Sequence, residues 1–252
     1  MDIQHNIKIK DQFDLRSSTF EQSVHWVTDP HLIQAHVHMA GSHTGKSLEL
    51  CCGTGAVSRG LKEAGWQVTG VDISPGMVEQ AKQFINAQVA DVVNLPFADH
   101  SFDLVCMRQA YFLLNDGPAA LKEIHRVLKP TGRLILSHLV PYSEVDAEYL
   151  RKIHTVKQAQ MRKFHTTETL TQELQAHGFE VRERDFVTVR ESVTLWMREA
   201  PELSVETRQR VCDMVLNSPE EYRRLRKVEN VNGEIMENWN FVLLSAAPRA
   251  NA

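Results

Sequence analysis

The sequence predicts an α/β fold with a mostly parallel sheet and helices on both faces. Two observations carry that expectation. From Lys46 to Val140, short segments of β character alternate with amphipathic stretches about ten to fifteen residues long, the pattern of successive βαβ units. Each segment is also punctuated by residues with a mechanical reason to stop or start it, chiefly Gly, Pro and Ser. Right-handed crossovers then place the helices on both faces of the sheet.

In chain order, residues 1–45 read as helical and carry Phe13, Phe20 and Trp26. These aromatics either anchor the segment to the core or close it over a ligand. Ser47–Cys51 is a short apolar strand ending in a Gly turn. Gly55–Ala64 is a helix that Gly65 stops at the C′ position. Trp66–Asp72 is the second strand. Ser74 and Pro75 then supply an N-cap and a proline at N1 for a helix running to Phe84. Ala87–Ala90 is a short strand and Phe102–Met107 a strong one. Gly117–Leu128 is a helix with Leu121, Ile124, Val127 and Leu128 on one face. Lys129–Gly132 is a turn, and Arg133–Leu139 is the next strand. Beyond Pro141 the pattern changes to helices over Ser143–Phe164 and Thr166–His177, the latter closed by Gly178. A β-like run follows at Phe179–Val189, then a charged helical stretch over Ser192–Arg226 broken at Pro201 and Pro219. Ile235–Ala247 is the final strand.

Composition narrows the function. The chain has 252 residues, 42% of them hydrophobic and 24% charged, enough to bury a large core without a disulfide or metal staple. Its 12 Gly and 9 Pro exclude collagen-like repeats, and the hydrophobic fraction excludes disorder. A formal charge of −4 argues against a sequence-blind nucleic-acid binder, which needs a basic stripe. The first ten residues, MDIQHNIKIK, hold no apolar signal region, and no apolar run reaches the ~20 residues that span a bilayer. The 4 Cys form no CxxC pair and read as reduced thiols, so a cytoplasmic location is expected. His31, His36, His38 and His43 crowd one stretch without the spacing of a metal site, so no metal is expected.

Ligands of such folds bind at the carboxyl ends of the strands, and the unusual residues lie there. Glu49 and the run Cys51-Cys52-Gly53-Thr54-Gly55 stand where the first strand meets its helix. Two glycines let the backbone approach a ligand, and the helix N-terminus adds positive potential. Asp72 ends the second strand, where a carboxylate can accept both ribose hydroxyls. Asp91 ends the third, where one can accept an adenine amino group. Singly, each is more readily a cap or a solvated turn residue; three at successive strand ends reverse that balance and point to a nucleoside.

Taken as a set, LELCCGTG, GVDISPGMVEQA, VADVVNLPFADHSFDLV and LKEIHRVLKPTGRLIL resemble the motifs of class I S-adenosylmethionine-dependent methyltransferases. They cover about Leu48 to Val140 in the expected order. The Cys-Cys pair is similar to the branch near the ubiquinone and menaquinone biosynthesis methyltransferases, from which the chain departs after the fourth strand and beyond the fifth. Cys51 stands where the first motif has its leading glycine.

The resemblance implies a Rossmann-like sheet of seven strands with the last antiparallel, in a single domain. Residues 1–45 would be a helical cap, 46–140 the cofactor-binding core, and 141–252 the acceptor-side half with a helical insert at 192–233. That insert is read as a lid, or as a packing decoration or homodimer contact. The cofactor implied is S-adenosylmethionine and the partner a small-molecule acceptor. Glu49 would orient the methionine ammonium, and Cys51, Gly53 and Gly55 would pass near the methionine part. Asp72 would hold the ribose, Ile73 and Met77 would pack on adenine, and Asp91 with the Val92 amide would read its edge. Arg108 would lie near the donor's carboxylate.

Methyl transfer is an in-line displacement in which alignment and desolvation do much of the work. A base is needed only where the acceptor loses a proton. His138, Tyr111 and His165 are the candidates, His138 first. Three other readings remain open. One is a subunit that binds the cofactor without turnover. Another is a macromolecular acceptor. The third is a nicotinamide-dependent dehydrogenase, against which Ser58 replaces the third small residue of G-x-G-x-x-G/A.

Overall fold

The computed structural model describes residues 2–42 and 45–249, so Met1 of the N-terminal run and His43 of the histidine cluster lie outside it. The chain opens with α1 (Ile3–Arg16), α2 (Phe20–Ser23), a 3₁₀ turn at His25–Val27 and α3 (Pro30–Ala40). The alternating region follows as β1 (Lys46–Leu50), α4 (Ala56–Glu63), β2 (Gln67–Asp72), α5 (Pro75–Ala81), β3 (Asn86–Val89), β4 (Phe102–Arg108), α6 (Gly117–Val127) and β5 (Leu128–Val140). The second half supplies α7 (Glu144–Lys157), α8 (Thr167–Ala176), β6 (Phe179–Ser192), α9 (Val193–Arg198), α10 (Val205–Leu216), α11 (Glu220–Arg226), β7 (Glu229–Val231) and β8 (Glu234–Pro248).

The strands form one sheet in the order β3-β2-β1-β4-β5-β8-β6, with β7 paired to β8. Neighbours from β3 through β5 are parallel, and β8 runs antiparallel between β5 and β6. The chain leaves β1 in one direction for β2 and β3 and returns on its other side for β4, so the strand order reverses between β1 and β4. A crevice opens at such a point, at the carboxyl ends of the strands.

Side-chain alternation divides the core. Leu104, Cys106 and Ile135 join a cluster with Leu32, Val57 and Leu61 of α3 and α4, while Val105, Met107 and Leu134 join Leu121, Ile124, Leu170 and Leu174 of α6 and α8. The start and stop signals act as the sequence suggests. Ser74 Oγ accepts from the Met77 amide, with Pro75 at N1. After α4, Gly65 takes φ 97°, its amide donates to Lys62 O, and the Trp66 amide donates to Leu61 O, a Schellman closure.

Four local departures have physical causes. The sheet has an eighth strand, β7, because Asn232 and Gly233 adopt φ 53° and 89° and close a tight hairpin. Lys129–Gly132 lies within β5 rather than before it, as an out-of-register loop between the Phe102–Leu128 and Leu104–Arg133 pairs. α5 stops at Ala81 and tightens, with Phe84 N bonding to Ala81 O. α7 ends at Lys157, short of Phe164: Gln158 leaves helical geometry at φ −120° and ψ 81°, and further on the Arg162 amide donates to Phe112 O at 2.9 Å.

The insert does not stand away from the body. Trp196, Met197, Val211, Val215 and Tyr222 are buried in the core cluster that contains Leu150 and Ile153 of α7 and Trp239 of β8. Arg226 is fully buried and forms a two-pronged pair with Asp146 of α7, at 2.6 and 3.1 Å. No helix among the described residues is long and apolar enough to cross a membrane.

Candidate functional site

The crevice at the carboxyl ends of β1, β2 and β4 encloses about 1030 Å³ of atom-free space, part of it continuous with solvent. Glu49, Cys51, Gly53, Asp72, Ile73, Met77, Asp91, Val92 and Arg108 all line it. Gly55 does not. Its φ of +83° starts α4, and a Cβ there would meet Ala81 Cβ at 3.5 Å, so that glycine serves the turn and its packing on α5.

The three acidic residues are held in distinct ways. Asp72 is buried and accepts from the Gly53 amide through Oδ2 and from the Ser74 amide through Oδ1, both at 2.9 Å. Burial pushes its carboxyl up, while those amides pull it back. Asp91 accepts from Asn6 Nδ2 at 2.8 Å and from the Val93 amide at 3.2 Å. Glu49 is buried, and Ser58 holds its Oε2 with both the backbone amide and the hydroxyl. Burial raises Glu49 to about 7, against the pull of Ser58 and Arg108. Ser58, the residue out of place in a dinucleotide fingerprint, is therefore the clamp on this carboxylate.

The Gly-rich turn is shaped for close approach. Gly53 takes φ +54° and faces Phe20, and Cys51 takes φ +50°, a conformation that costs a non-glycine residue about 1 kcal/mol or more. Thr54 Oγ1 is buried in the wall without a hydrogen-bond partner among the described residues. Burial and the nearby carboxylates push the Cys51 and Cys52 thiols up, so both stay protonated. All four cysteines are free.

The N-terminal segment closes the crevice. Asn6, Ile9, Phe13, Phe20, Trp26 and Val27 line it, so the aromatics face the ligand space rather than only the core. Trp26 is fixed from both sides. Its amide donates to Glu191 Oε2 at 3.0 Å, and Arg108 donates to its carbonyl and to that of Val27 at 3.3 and 2.9 Å. The Arg108 guanidinium also lies 5.0 Å over the Trp26 ring. Burial lowers Arg108 to about 10, which leaves it charged at neutral pH.

A second cavity of about 540 Å³ adjoins the crevice. The two share Phe13, Phe20, Trp26, Gln109 and Leu113 as walls, and Trp196 is the insert's contribution to the second. No residue of 192–233 lines the crevice itself. The insert is thus a wall of the second cavity.

The candidate bases lie one side chain further back. His138 is buried and lines a small recess with Gln109, Phe112 and His165. The Leu139 amide donates to Gln109 Oε1, which identifies that atom as oxygen; His138 therefore donates to it from Nδ1, at 2.7 Å. Burial holds His138 well below the usual imidazole range, so it is neutral. Tyr111 lines neither large cavity. Its hydroxyl is buried without a partner among the described residues, and burial pushes the phenol up, away from the phenolate a base would need. His165 packs on Tyr111 and His138 and is lowered to about 4 by burial. Of the histidine cluster, His31 and His38 are exposed, and His36 is buried and donates to Leu32 O from Nδ1. Among the described residues no group of three His, Cys, Asp or Glu could hold a metal ion.

The sequence gives no local sign of Asn6, Glu191 or Gln109, whose partners are distant in the chain. The positive φ of Gln109, 51°, is visible only in the backbone.

Residues 48–136 match the family model described as a methyltransferase domain. Among curated proteins, the chain is 37% identical over 136 residues to a demethylmenaquinone methyltransferase of Staphylococcus epidermidis, covering 50% of this chain and 55% of that one. It is 36% identical over 129 residues to a malonyl-[acyl-carrier protein] O-methyltransferase of Pseudescherichia vulneris, covering 50% and 49%. The matched stretch thus spans about half the length of these relatives. Among solved structures, the YcgJ protein of Bacillus subtilis superposes with a TM-score of 0.74 at 19% identity, covering 88% of this chain and 99% of that one.

Proposed function

We propose, from the match of residues 48–136 to a methyltransferase-domain model, that the chain transfers a methyl group from S-adenosylmethionine to a small organic acceptor. The carrying observation is the set of three separately held carboxylates, Glu49, Asp72 and Asp91, in one crevice that shares a wall with an aromatic cavity.

The residues present fit the donor. Asp72, fixed by two backbone amides, offers its remaining lone pairs to the ribose hydroxyls. Ile73 and Met77 give adenine apolar cover, and Asp91 with the Val92 amide meets its edge. Glu49 Oε1 makes no hydrogen bond within the described residues, which leaves it for the methionine ammonium. Thr54 Oγ1, an orphan in the wall, gains a partner. When bound, the donor would supply a methyl on a sulfonium: the acceptor lone pair takes the methyl, the S–C electron pair returns to sulfur, and a proton carried by the acceptor is lost to bulk solvent as the product leaves.

The chain's own residues then align and dry the reactants. Phe13, Phe20 and Trp26 exclude water at the shared wall, which favours a displacement that disperses charge. Gln109 lines the crevice, the second cavity and the recess behind them. His138 holds Gln109 in place, and we assign it as a positioning residue; a direct proton transfer to it would have to pass Gln109. The free thiols suit the reducing cytoplasm.

The two relatives act on different acceptors by name, a demethylmenaquinone and a malonyl-[acyl-carrier protein], so the acceptor is a matter for this chain's own cavity. Calorimetry with S-adenosylmethionine and S-adenosylhomocysteine tests the donor. Both should bind, and Asp72→Asn should raise Kd by about tenfold or more through loss of charge-assisted hydrogen bonds. Unchanged affinity would remove Asp72 from the site. Mass detection of an added methyl across phenols, quinols, amines and acids tests turnover.

A further inference from the structure

The second cavity carries a buried charge that the donor does not use. Its walls are flat rings: Phe13, Phe20, Phe112, Trp26, Trp196 and Trp239. Two cations also line it, Arg16 from the end of α1 and Lys157 from the end of α7, only 4% and 2% exposed. Both face one carboxylate, Glu202, and both address the same oxygen. Lys157 Nζ lies 3.0 Å from Glu202 Oε1, and an Arg16 terminal nitrogen lies 3.7 Å from it.

Two positive charges against one negative leave the cavity net cationic. His154, also in the wall, does not alter this balance, because burial lowers it to about 3 and keeps it neutral. Arg16 is under-used as well. One terminal nitrogen reaches Ser23 Oγ at 3.3 Å, but its Nε is buried with no partner among the described residues. Lys157 lies 5.3 Å from the centre of the Trp196 ring, and burial beside Arg16 lowers it to about 8. A buried cation with unspent donors is costly unless an anion meets it, and planar carboxylates suit a guanidinium.

We propose that the acceptor is a small planar acid, an aromatic or conjugated molecule whose carboxylate seats against Arg16 and Lys157 while its ring lies between the aromatic walls. This rests on the methyl-transfer reading and names the substrate class for it. The carboxylate is an anchor, and the atom that receives the methyl is another one on the same molecule, at the wall shared with the crevice. The aromatic box fixes the plane of the ring and the cations fix its direction.

The test uses the full chain saturated with S-adenosylhomocysteine. Benzoate, cinnamate and 2-naphthoate are titrated against their matched primary amides, with tryptophan fluorescence and calorimetry as readouts. Each acid should bind about tenfold tighter than its amide, the scale of one charge-assisted contact. Arg16→Gln and Lys157→Gln should each erase most of that preference with little change in S-adenosylhomocysteine affinity, and Lys157→Arg should keep it. Amides binding as well as acids, acids failing to bind, or a preference that survives both Gln variants overturns the proposal. The acid–amide comparison on the unmodified chain decides the matter even where a variant does not fold. If S-adenosylhomocysteine itself fails to bind, the methyl-transfer reading falls and this inference with it; if it binds and the acids show no preference, this inference alone falls.

Discussion

Asn6 of α1 donates a hydrogen bond to Asp91 Oδ2 at 2.8 Å, joining the first helix to the end of the third strand. Other bonds fasten the same helix, among them His5 to Leu113 O at 2.7 Å and the Gly76 amide to Asp14 Oδ1 at 2.9 Å. The crevice is therefore shut along one side by an element that contributes nothing to the sheet. Loss of that fastening would widen the crevice on the side of α1.

Asn6→Ala should accordingly raise the dissociation rate of S-adenosylhomocysteine by about three- to tenfold, the scale of one ordinary hydrogen bond. The association rate should change less. Stopped-flow displacement measures both, and an unaltered dissociation rate would show that α1 is no latch.

Glu49 predicts a proton release. Its pKa is about 7 in the free chain, against about 4.5 for an ordinary glutamate. At pH 6 the free carboxyl is mostly protonated, and a bound ammonium favours the ionised form, so binding expels a proton. Donor affinity should rise between about pH 5.5 and 7.5 and then level off. The binding enthalpy at pH 6 should vary with the buffer's ionisation enthalpy in the direction of release. The same shift makes the ligand-free chain lose stability as pH rises from about 4.5 to 7, because the native state there holds more protons than the unfolded one. A buffer-independent enthalpy at pH 6 rules the assignment out.

Gln109→Leu should lower kcat by about tenfold and raise the donor Kd by less, because the amide stands at the junction of the cavities. His138→Phe keeps a ring beside Phe112 but removes the bond to Gln109, and should give part of the same loss. Its pH profile between 6 and 9 should match that of the parent, since a neutral positioning imidazole contributes no inflection there. An inflection present in the parent and lost in His138→Phe would falsify the positioning role and restore His138 as a base.

Asp146→Ala should destabilise the fold by about 3–5 kcal/mol, because it leaves the Arg226 guanidinium buried and unpaired. Urea denaturation at neutral pH reads this directly. A loss below about 1 kcal/mol would mean that water or Glu237 replaces the lost carboxylate.

The sequence makes some of this legible and hides the rest for a definite reason. The strand-end acids, the Gly turn, and the Ser74-Pro75 and Gly65 signals are local, and each depends on neighbours a few residues away. Glu49, Asp72 and Asp91 therefore lie where the alternation of strands and helices places them. The pairings that complete the site are not local. Asn6 lies 85 residues from Asp91, and Trp26 lies 165 from Glu191. Arg16 ends α1, Lys157 ends α7 and Glu202 lies in the turn between α9 and α10, so only the folded chain brings the three together. Gly55 shows the opposite case: a true turn signal whose position next to a site does not make it a wall of that site.

Asp14 has one consequence for motion. Its carboxylate, carried by α1, accepts from the Ser74 hydroxyl and the Gly76 amide, and so completes the cap of α5 from another helix. α5 in turn carries Met77, part of the crevice wall. Displacing α1 would strip the Asp14 acceptor from the first turn of α5 at the same moment. The first helix and this stretch of the crevice wall are thus a single mechanical part: moving one loosens the other, and whatever steadies the wall steadies α1.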